Sequence, residues 1–220
     1  VRFALLGIIC VLIVSCREYQ PFDTPVQVTG YELSGKVISA NGLALGGVLV
    51  TLKYYYYEYG TNPLDTTQII IPGTPIKFMS VNVYTPQNRL IKELYNDYPD
   101  PGVFPRQHWN EKDNTGHFVT SGKYIIRYVY DNQVVKETPT IVEGRVTATT
   151  DLYGEFTLSG SMLPVGDMFD IYDGDNPSTY YGVFKVSSRL QLLLSKGTAV
   201  SHKEIEVQKD KLTRGIFTLQ

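Results

Sequence analysis

The chain has 220 residues, 43% of them apolar and 19% charged, with a formal net charge of −2. That composition is globular rather than disordered. It contains no lysine and arginine block of the kind that neutralises a row of phosphates, so nucleic acid is excluded as a partner. Both cysteines, Cys10 and Cys16, lie in the first sixteen residues. This excludes a disulfide framework and a cysteine-based metal site for the folded body.

At the N-terminus, Arg2 precedes an apolar run from Phe3 to Val14. Coiled as a helix the run rises only about 20 Å, short of a ~30 Å hydrocarbon core, which suits a secretory signal better than a membrane span. The run ends Ile13-Val14-Ser15-Cys16: an aliphatic residue, a tolerant position, a small residue and a cysteine. This pattern resembles the lipobox of bacterial lipoproteins, with Val14 where alanine or serine is commoner. The resemblance implies that residues 1–15 are removed and that Cys16 is lipidated, anchoring an otherwise soluble protein to a membrane. The alternatives are a signal peptide cut without lipidation and a plain apolar strand. Arg17 follows the cysteine where the best-known inner-membrane retention signal has aspartate, so the expected location is the Gram-negative cell envelope, at the outer membrane. Residues 16–30, held extended by Pro21 and Pro25, read as a tether.

From Tyr31 onward short alternating apolar runs recur between glycine, proline and asparagine signals, predicting strands throughout. In chain order they fall near Tyr31–Ser39, Gly47–Tyr59, Thr67–Ile71, Ile76–Tyr84, Arg89–Tyr95, Val103–Trp109, Gly122–Asp131, Val134–Thr138 and Ile141–Thr150. Further strands are predicted near Glu155–Ser159, Met168–Tyr172, Tyr180–Ser187, Arg189–Ser195, Glu204–Gln208 and Gly215–Leu219. Only Leu90, Ile91 and Leu94 are spaced for a helical turn. About fifteen short strands without helix point to two packed sandwiches.

Two resemblances refine this. Ser80–Asp131 reads SVNVYTPQNRLIKELYNDYPDPGVFPRQHWNEKDNTGHFVTSGKYIIRYVYD. It resembles the immunoglobulin-like module of the flagellar hook-capping protein, which recurs in secreted proteins of Bacteroidetes, over about residues 66–138. Val81, Val83 and Tyr84 fit its first strand, and Leu90, Ile91 and Leu94 its second. Trp109 fits a tryptophan strand, Asp113–Gly116 a D-x-x-G turn, and Val119, Ser121, Gly122 and Tyr124 the closing V-x-S-G-x-Y. Gln87-Asn88 stand where a glycine is usual. The resemblance gives Trp109, Asp113, Gly116, Gly122 and Tyr124 structural roles: core filler, turn formers and strand start.

The second resemblance brackets the first. Gly35-Lys36-Val37, Gly42 and Leu45–Leu52 look like the opening of a carboxypeptidase regulatory-like sandwich, and Thr149–Leu158, with Gly154 in its turn, like that family's next element. The two parts stand far apart in the chain, which suggests insertion. The expected fold is therefore all-β, with two β-sandwich modules (immunoglobulin-like and transthyretin-like). Residues 31–59 plus 140–220 would form the regulatory-like sandwich, and 60–139 the inserted module. Two sandwiches in tandem are the alternative.

The candidates for chemistry are few. His108, His117 and His202 lack metal-ligand spacing, and no nucleophile motif or P-loop occurs. No enzyme and no cofactor is expected. Asp170, Asp173 and Asp175 gather near Gly174 and could hold Ca²⁺, or form a polar turn. In Tyr54–Tyr59 alternation puts Tyr54 and Tyr56 on one side and Tyr55, Tyr57 and Tyr59 on the other. The latter three suit sugar stacking, a protein interface or packing between modules. The expected function is a non-enzymatic envelope protein presenting its sandwiches to another envelope protein, or alternatively to glycan.

Overall fold

The computed structural model describes residues 29–60, 77–100, 107–172 and 180–220. Among them the chain is all-β. The strands are β1 (Tyr31–Ser39), β2 (Leu49–Gly60), β3 (Met79–Tyr84), β4 (Leu90–Asp97), β5 (Gly122–Tyr130), β6 (Gln133–Val142), β7 (Val146–Thr149), β8 (Glu155–Ser159), β9 (Met168–Tyr172), β10 (Tyr180–Lys196), β11 (Ala199–Glu206) and β12 (Lys211–Leu219). A single 3-10 turn, Gly160–Met162, follows β8.

Three sheets result. The first has the order β12-β1-β8, and the second β11-β10-β2-β7 with β9 also on β10. Period-two alternation turns Leu33 and Val37, Phe156 and Leu158, and Phe217 and Leu219 inward from the first sheet. They meet Val50, Leu52 and Tyr54 of β2 and Leu190, Leu192 and Leu194 of β10 in one core. This is a β-sandwich. β1 and β12 pair in parallel, and the other strand pairings are antiparallel.

Gly35 explains how that core fills. It faces inward between Leu33 and Val37, opposite Phe156 on β8 and Gly215 on β12. A Cβ on Gly35 would lie 2.3 Å from the Phe156 ring and 2.6 Å from the Phe217 ring. The two rings, 5.9 Å apart at their centroids, occupy the volume that the missing side chains leave.

The third sheet, β4-β3-β5-β6, is built entirely from the segment between β2 and β7. Yet β7 returns to pair with β2, matching Leu49 to Thr149, Val50 to Ala148 and Thr51 to Val146. The third sheet thus hangs on a connection between two hydrogen-bonded neighbours of the sandwich. One of its faces is apolar, with Met79, Val81, Tyr128 and Tyr130 in one cluster and Val83, Ile91, Trp109, Tyr124 and Val142 in another. Thr140, Ile141 and Val142 pair with Tyr124, Lys123 and Gly122, so the crossover back to the sandwich falls at Glu143–Arg145, a few residues beyond the boundary read at 139/140.

Some local expectations hold and others are corrected. Leu90, Ile91 and Leu94, whose spacing also suits a helical turn, lie in β4, in line with the strand predicted near Arg89–Tyr95. Two register shifts in the β3–β4 pairing reset the alternation, so residues three apart, Ile91 and Leu94, both reach the apolar side. Tyr180–Ser187 and Arg189–Ser195 are one strand of seventeen residues. The polar Ser187-Ser188-Arg189 resembles a turn in sequence, but it is a bulge between Val186, opposite Tyr56, and Leu190, opposite Tyr54. Trp109 lies in no strand. The predicted strand at Thr67–Ile71 and the start of the one at Val103 lie outside the described residues.

Gly35→Ala is expected to lower unfolding free energy by about 1–3 kcal/mol, the usual cost of overpacking a filled core. Urea denaturation of wild type and variant measures it. Equal stabilities would mean that the Phe156 and Phe217 rings do not occupy the space above Gly35.

Candidate functional site

The stretch from Trp109 to Tyr124 is a loop clamped at both ends. The Trp109 ring packs against Tyr124 at 5.0 Å in a near-perpendicular arrangement, and its Nε1 donates to the Lys112 carbonyl at 2.8 Å. Asp113 builds the following turn: one carboxylate oxygen accepts from the backbone N–H of Thr115 (2.9 Å) and of His117 (3.0 Å) and from the Thr115 hydroxyl (2.7 Å). The Thr115 hydroxyl bond, then these backbone donors, hold the Asp113 carboxyl below the usual aspartate range. Gly116 closes the turn at φ +87°. Asn88, where a glycine is usual, takes φ +64°, a conformation asparagine tolerates better than most residues.

Ser121 is the centre of this region. It is 1% exposed. Its hydroxyl faces the carbonyls of Leu52 on β2 (3.3 Å) and Arg145 (3.0 Å), and accepts from the Arg145 N–H at 3.0 Å. One side chain of the segment between β2 and β7 therefore ties β2 to the crossover residue Arg145, which immediately precedes β7. Gly122 beside it sits at φ +148°, and a Cβ there would come 2.5 Å from the Ser161 carbonyl oxygen. The joint is reinforced by Lys123 on Asp167 at 2.8 Å and by the Tyr54 hydroxyl donating to the Met162 carbonyl at 2.9 Å. Arg145 also pairs with Glu111, with its guanidinium carbon 3.9 Å from the centroid of the Phe118 ring. Burial, and then the Glu143 charge, push the Tyr54 hydroxyl far above its ordinary pKa. Trp109, Tyr124 and Gly122 thus meet around one joint, while the Asp113 carboxylate bonds within its own turn. Ser121 falls in the V-x-S-G-x-Y pattern, but neither its contacts with Leu52 and Arg145 nor the Arg145–Glu111 pair is marked by it.

A cleft of about 260 Å³ opens here, lined by Thr85, Gln87, Arg89, Thr120, Tyr124 and Met162 as well as Ser121, Gly122 and Ser161. Its titratable groups are Arg89 and Tyr124, and burial raises the Tyr124 hydroxyl.

The tyrosine strand divides by face only in part. Tyr54 is buried, whereas Tyr56, on the same side, is 42% exposed although it lies edge-on to Phe169 (5.6 Å) and Phe184 (6.1 Å). Tyr55, Tyr57 and Tyr59 point outward, 40%, 51% and 58% exposed. Neighbouring strands dress this outer row. The Tyr55 hydroxyl donates to Glu204 at 2.9 Å, and Glu204 in turn pairs with Arg189. The Arg189 bond and then the Tyr55 bond hold the Glu204 carboxyl low, while the Glu204 bond raises the Tyr55 hydroxyl. Arg189 stands 5.7 Å over the Tyr55 ring, and Lys185 5.3 Å over Tyr59.

Gly154 takes φ +76° in a tight turn, where a Cβ would come 2.5 Å from the Val37 carbonyl oxygen. Asp170 lies in β9, whereas Asp173 and Asp175 lie outside the described residues, as does Cys16. Among the described residues no group of three or more His, Cys, Asp or Glu side chains is placed to hold a metal ion.

Ser121→Ala is expected to cost about 1–3 kcal/mol of unfolding free energy, because the Arg145 N–H is left buried without its acceptor. Chemical denaturation checks the value, and a change below a few tenths would mean the bridge is dispensable.

The chain matches no family model, no curated protein and no solved structure.

Proposed function

We propose that this is a non-enzymatic, lipid-anchored cell-envelope protein that presents its β-sandwich face to a protein partner. The observation that carries the reading is the outer row Tyr55, Tyr57 and Tyr59 with Arg189 and Glu204 beside it. Tyrosine and arginine together are the residues enriched at protein interfaces, since they supply broad contact area and several hydrogen bonds at low conformational cost. The row and the residues beside it belong to three neighbouring strands of one sheet, β2, β10 and β11, so it is rigid and needs little ordering on binding. The lipid anchor rests on the lipobox-like run that ends at Cys16.

A glycan is the second reading, favoured by the same three exposed rings. Against it, the cations over Tyr55 and Tyr59 already approach the ring faces a sugar would stack on.

Two measurements test this. Cys16→Ala is expected to move the full-length protein from the membrane to the soluble fraction, and retention equal to wild type would remove the anchor. Isothermal titration with envelope polysaccharides is expected to give no heat. A saturable isotherm lost in Tyr57→Ala would replace the protein partner with glycan.

A further inference from the structure

The sequence D-x-x-G occurs in two turns that the fold builds alike. In Asp113-Asn114-Thr115-Gly116-His117 the aspartate carboxylate accepts from the third and fifth N–H of the turn, the glycine N–H reaches the Asp113 carbonyl at 3.1 Å, and the Asp113 N–H reaches the His117 carbonyl at 2.9 Å. In Asp151-Leu152-Tyr153-Gly154-Glu155 the Asp151 carboxylate accepts from Tyr153 N–H (2.9 Å) and Glu155 N–H (2.8 Å). There the glycine bond is 3.0 Å and the Asp151–Glu155 bond 2.9 Å. The glycines sit at φ +87° and +76°.

The two middle positions differ. One turn carries Asn-Thr, as polar turn chemistry prescribes. The other carries Leu152, 91% exposed, and Tyr153, 71% exposed. Leu152 is the most exposed of the large apolar side chains among the described residues. The twin turn is an internal control: the same hydrogen bonds form over Asn-Thr, so local folding does not require Leu-Tyr.

Leu152 and Tyr153 are not isolated. The loop after β1 lies against their turn: a Cβ on Gly46 would come 3.0 Å from the Leu152 Cα, and one on Gly154 would be 3.5 Å from the Ala44 Cβ. That loop displays Leu43, 69% exposed. Thr150, itself 4% exposed, locks the two loops together, its hydroxyl donating to the Leu45 carbonyl (2.7 Å) and accepting from the Val48 N–H (2.9 Å). Three large apolar side chains therefore project from a rigid end of the sandwich.

The charges at this end are engaged. Asp151 serves its own turn, and Lys196 donates to the Gly46 carbonyl at 2.6 Å. Glu155 lies 3.9 Å from Lys36. No basic cluster accompanies the apolar side chains, as it does where a segment docks on anionic lipid. Among the described residues, the other contacts of the sandwich lie away from this end. β1 runs about 30 Å from its start to the Leu43 loop. At that start Gly30 is held to Asp210, and the inserted module is joined at Ser161 and Met162, also away from the tip.

We infer that Leu43, Leu152 and Tyr153 form a preformed apolar knob that docks into an uncharged apolar cleft of a protein partner. The inference rests on the reading of this chain as a protein-binding module and adds where and by what chemistry it binds. Exposed apolar side chains on a pre-ordered turn lose little entropy on burial, which is what an interface anchor needs.

The test places the photocrosslinking residue p-benzoylphenylalanine in the full-length protein, in the cells that make it, at Leu43, at Tyr57 or at Asn114. The expected result is a discrete protein adduct from Leu43 and none from Asn114. It should fall at least tenfold in the Leu152→Asn/Tyr153→Thr variant, which copies the twin turn, with an unchanged melting temperature. Leu43→Ser, outside the turn, should cause the same loss for a probe at Tyr153. Adducts from Tyr57 with none from Leu43 would overturn the knob while leaving a binding module. No protein adduct from either would overturn both. Lipid adducts from Leu43, or a protein adduct indifferent to both variants, would also overturn the knob.

Discussion

The hydroxyl of Ser121 is the contact on which the arrangement of this chain turns. It sits between Leu52 of β2 and Arg145, the crossover residue that leads into β7, and it belongs to the segment threaded between those two paired strands. The inserted sheet is attached through few covalent links, so its orientation depends on polar contacts at the crossover. A buried hydroxyl serves this well: it is the acceptor for the Arg145 N–H, which would otherwise lose its partner, and it faces carbonyls that Gly144 and Thr147 also reach. Gly122 then brings the strand against the 3-10 turn closely enough that no side chain fits between. The aromatic and acidic residues around it, Trp109, Tyr124 and Glu111, shape and stiffen the same joint.

Fixing this joint leaves the sandwich with two different outward surfaces. The outer face of the second sheet is amphipathic: tyrosine rings alternate with cations and one carboxylate, each held by a neighbour. Such a face stays wet and selective, since its polar groups have partners in the protein whether or not a ligand is present. The end of the sandwich at Leu43 and Leu152 is its opposite, apolar and with its charges turned to internal bonds. A polar rim and an apolar anchor are the two components of a protein interface. Here they occupy separate parts of one rigid unit.

The structure also shows why an apolar pair is tolerated in an exposed turn. Asp151 supplies the acceptor that both turn N–H groups need, and Gly154 supplies the left-handed residue, so positions 152 and 153 are free of any folding requirement. At Asp113 and Gly116 the backbone scheme is the same, but there the inner residues are engaged: the Thr115 hydroxyl donates to Asp113, and Asn114 Oδ1 accepts from the Glu93 N–H of β4.

The sequence by itself determined what alternation and local turn chemistry can encode. It marked nearly all the described strands, the Asp–Gly turns, the inward Tyr54 against the outward Tyr55, Tyr57 and Tyr59, and a sandwich opening separated from its continuation. These depend on residues within a few positions of one another, where side-chain period and φ preference act directly. The tertiary structure decided the rest. It merged two apparent strands into β10, because Val186 and Leu190 both belong in one core despite the polar bulge between them. It turned both Ile91 and Leu94 of the predicted strand to the apolar side, because irregular pairing with β3 shifts which side chains face inward. It made Ser121 a bridge and Arg145 the partner of Glu111, since those contacts join positions dozens of residues apart. A local pattern states which way a side chain points, and only the assembled sheets determine what stands there to meet it.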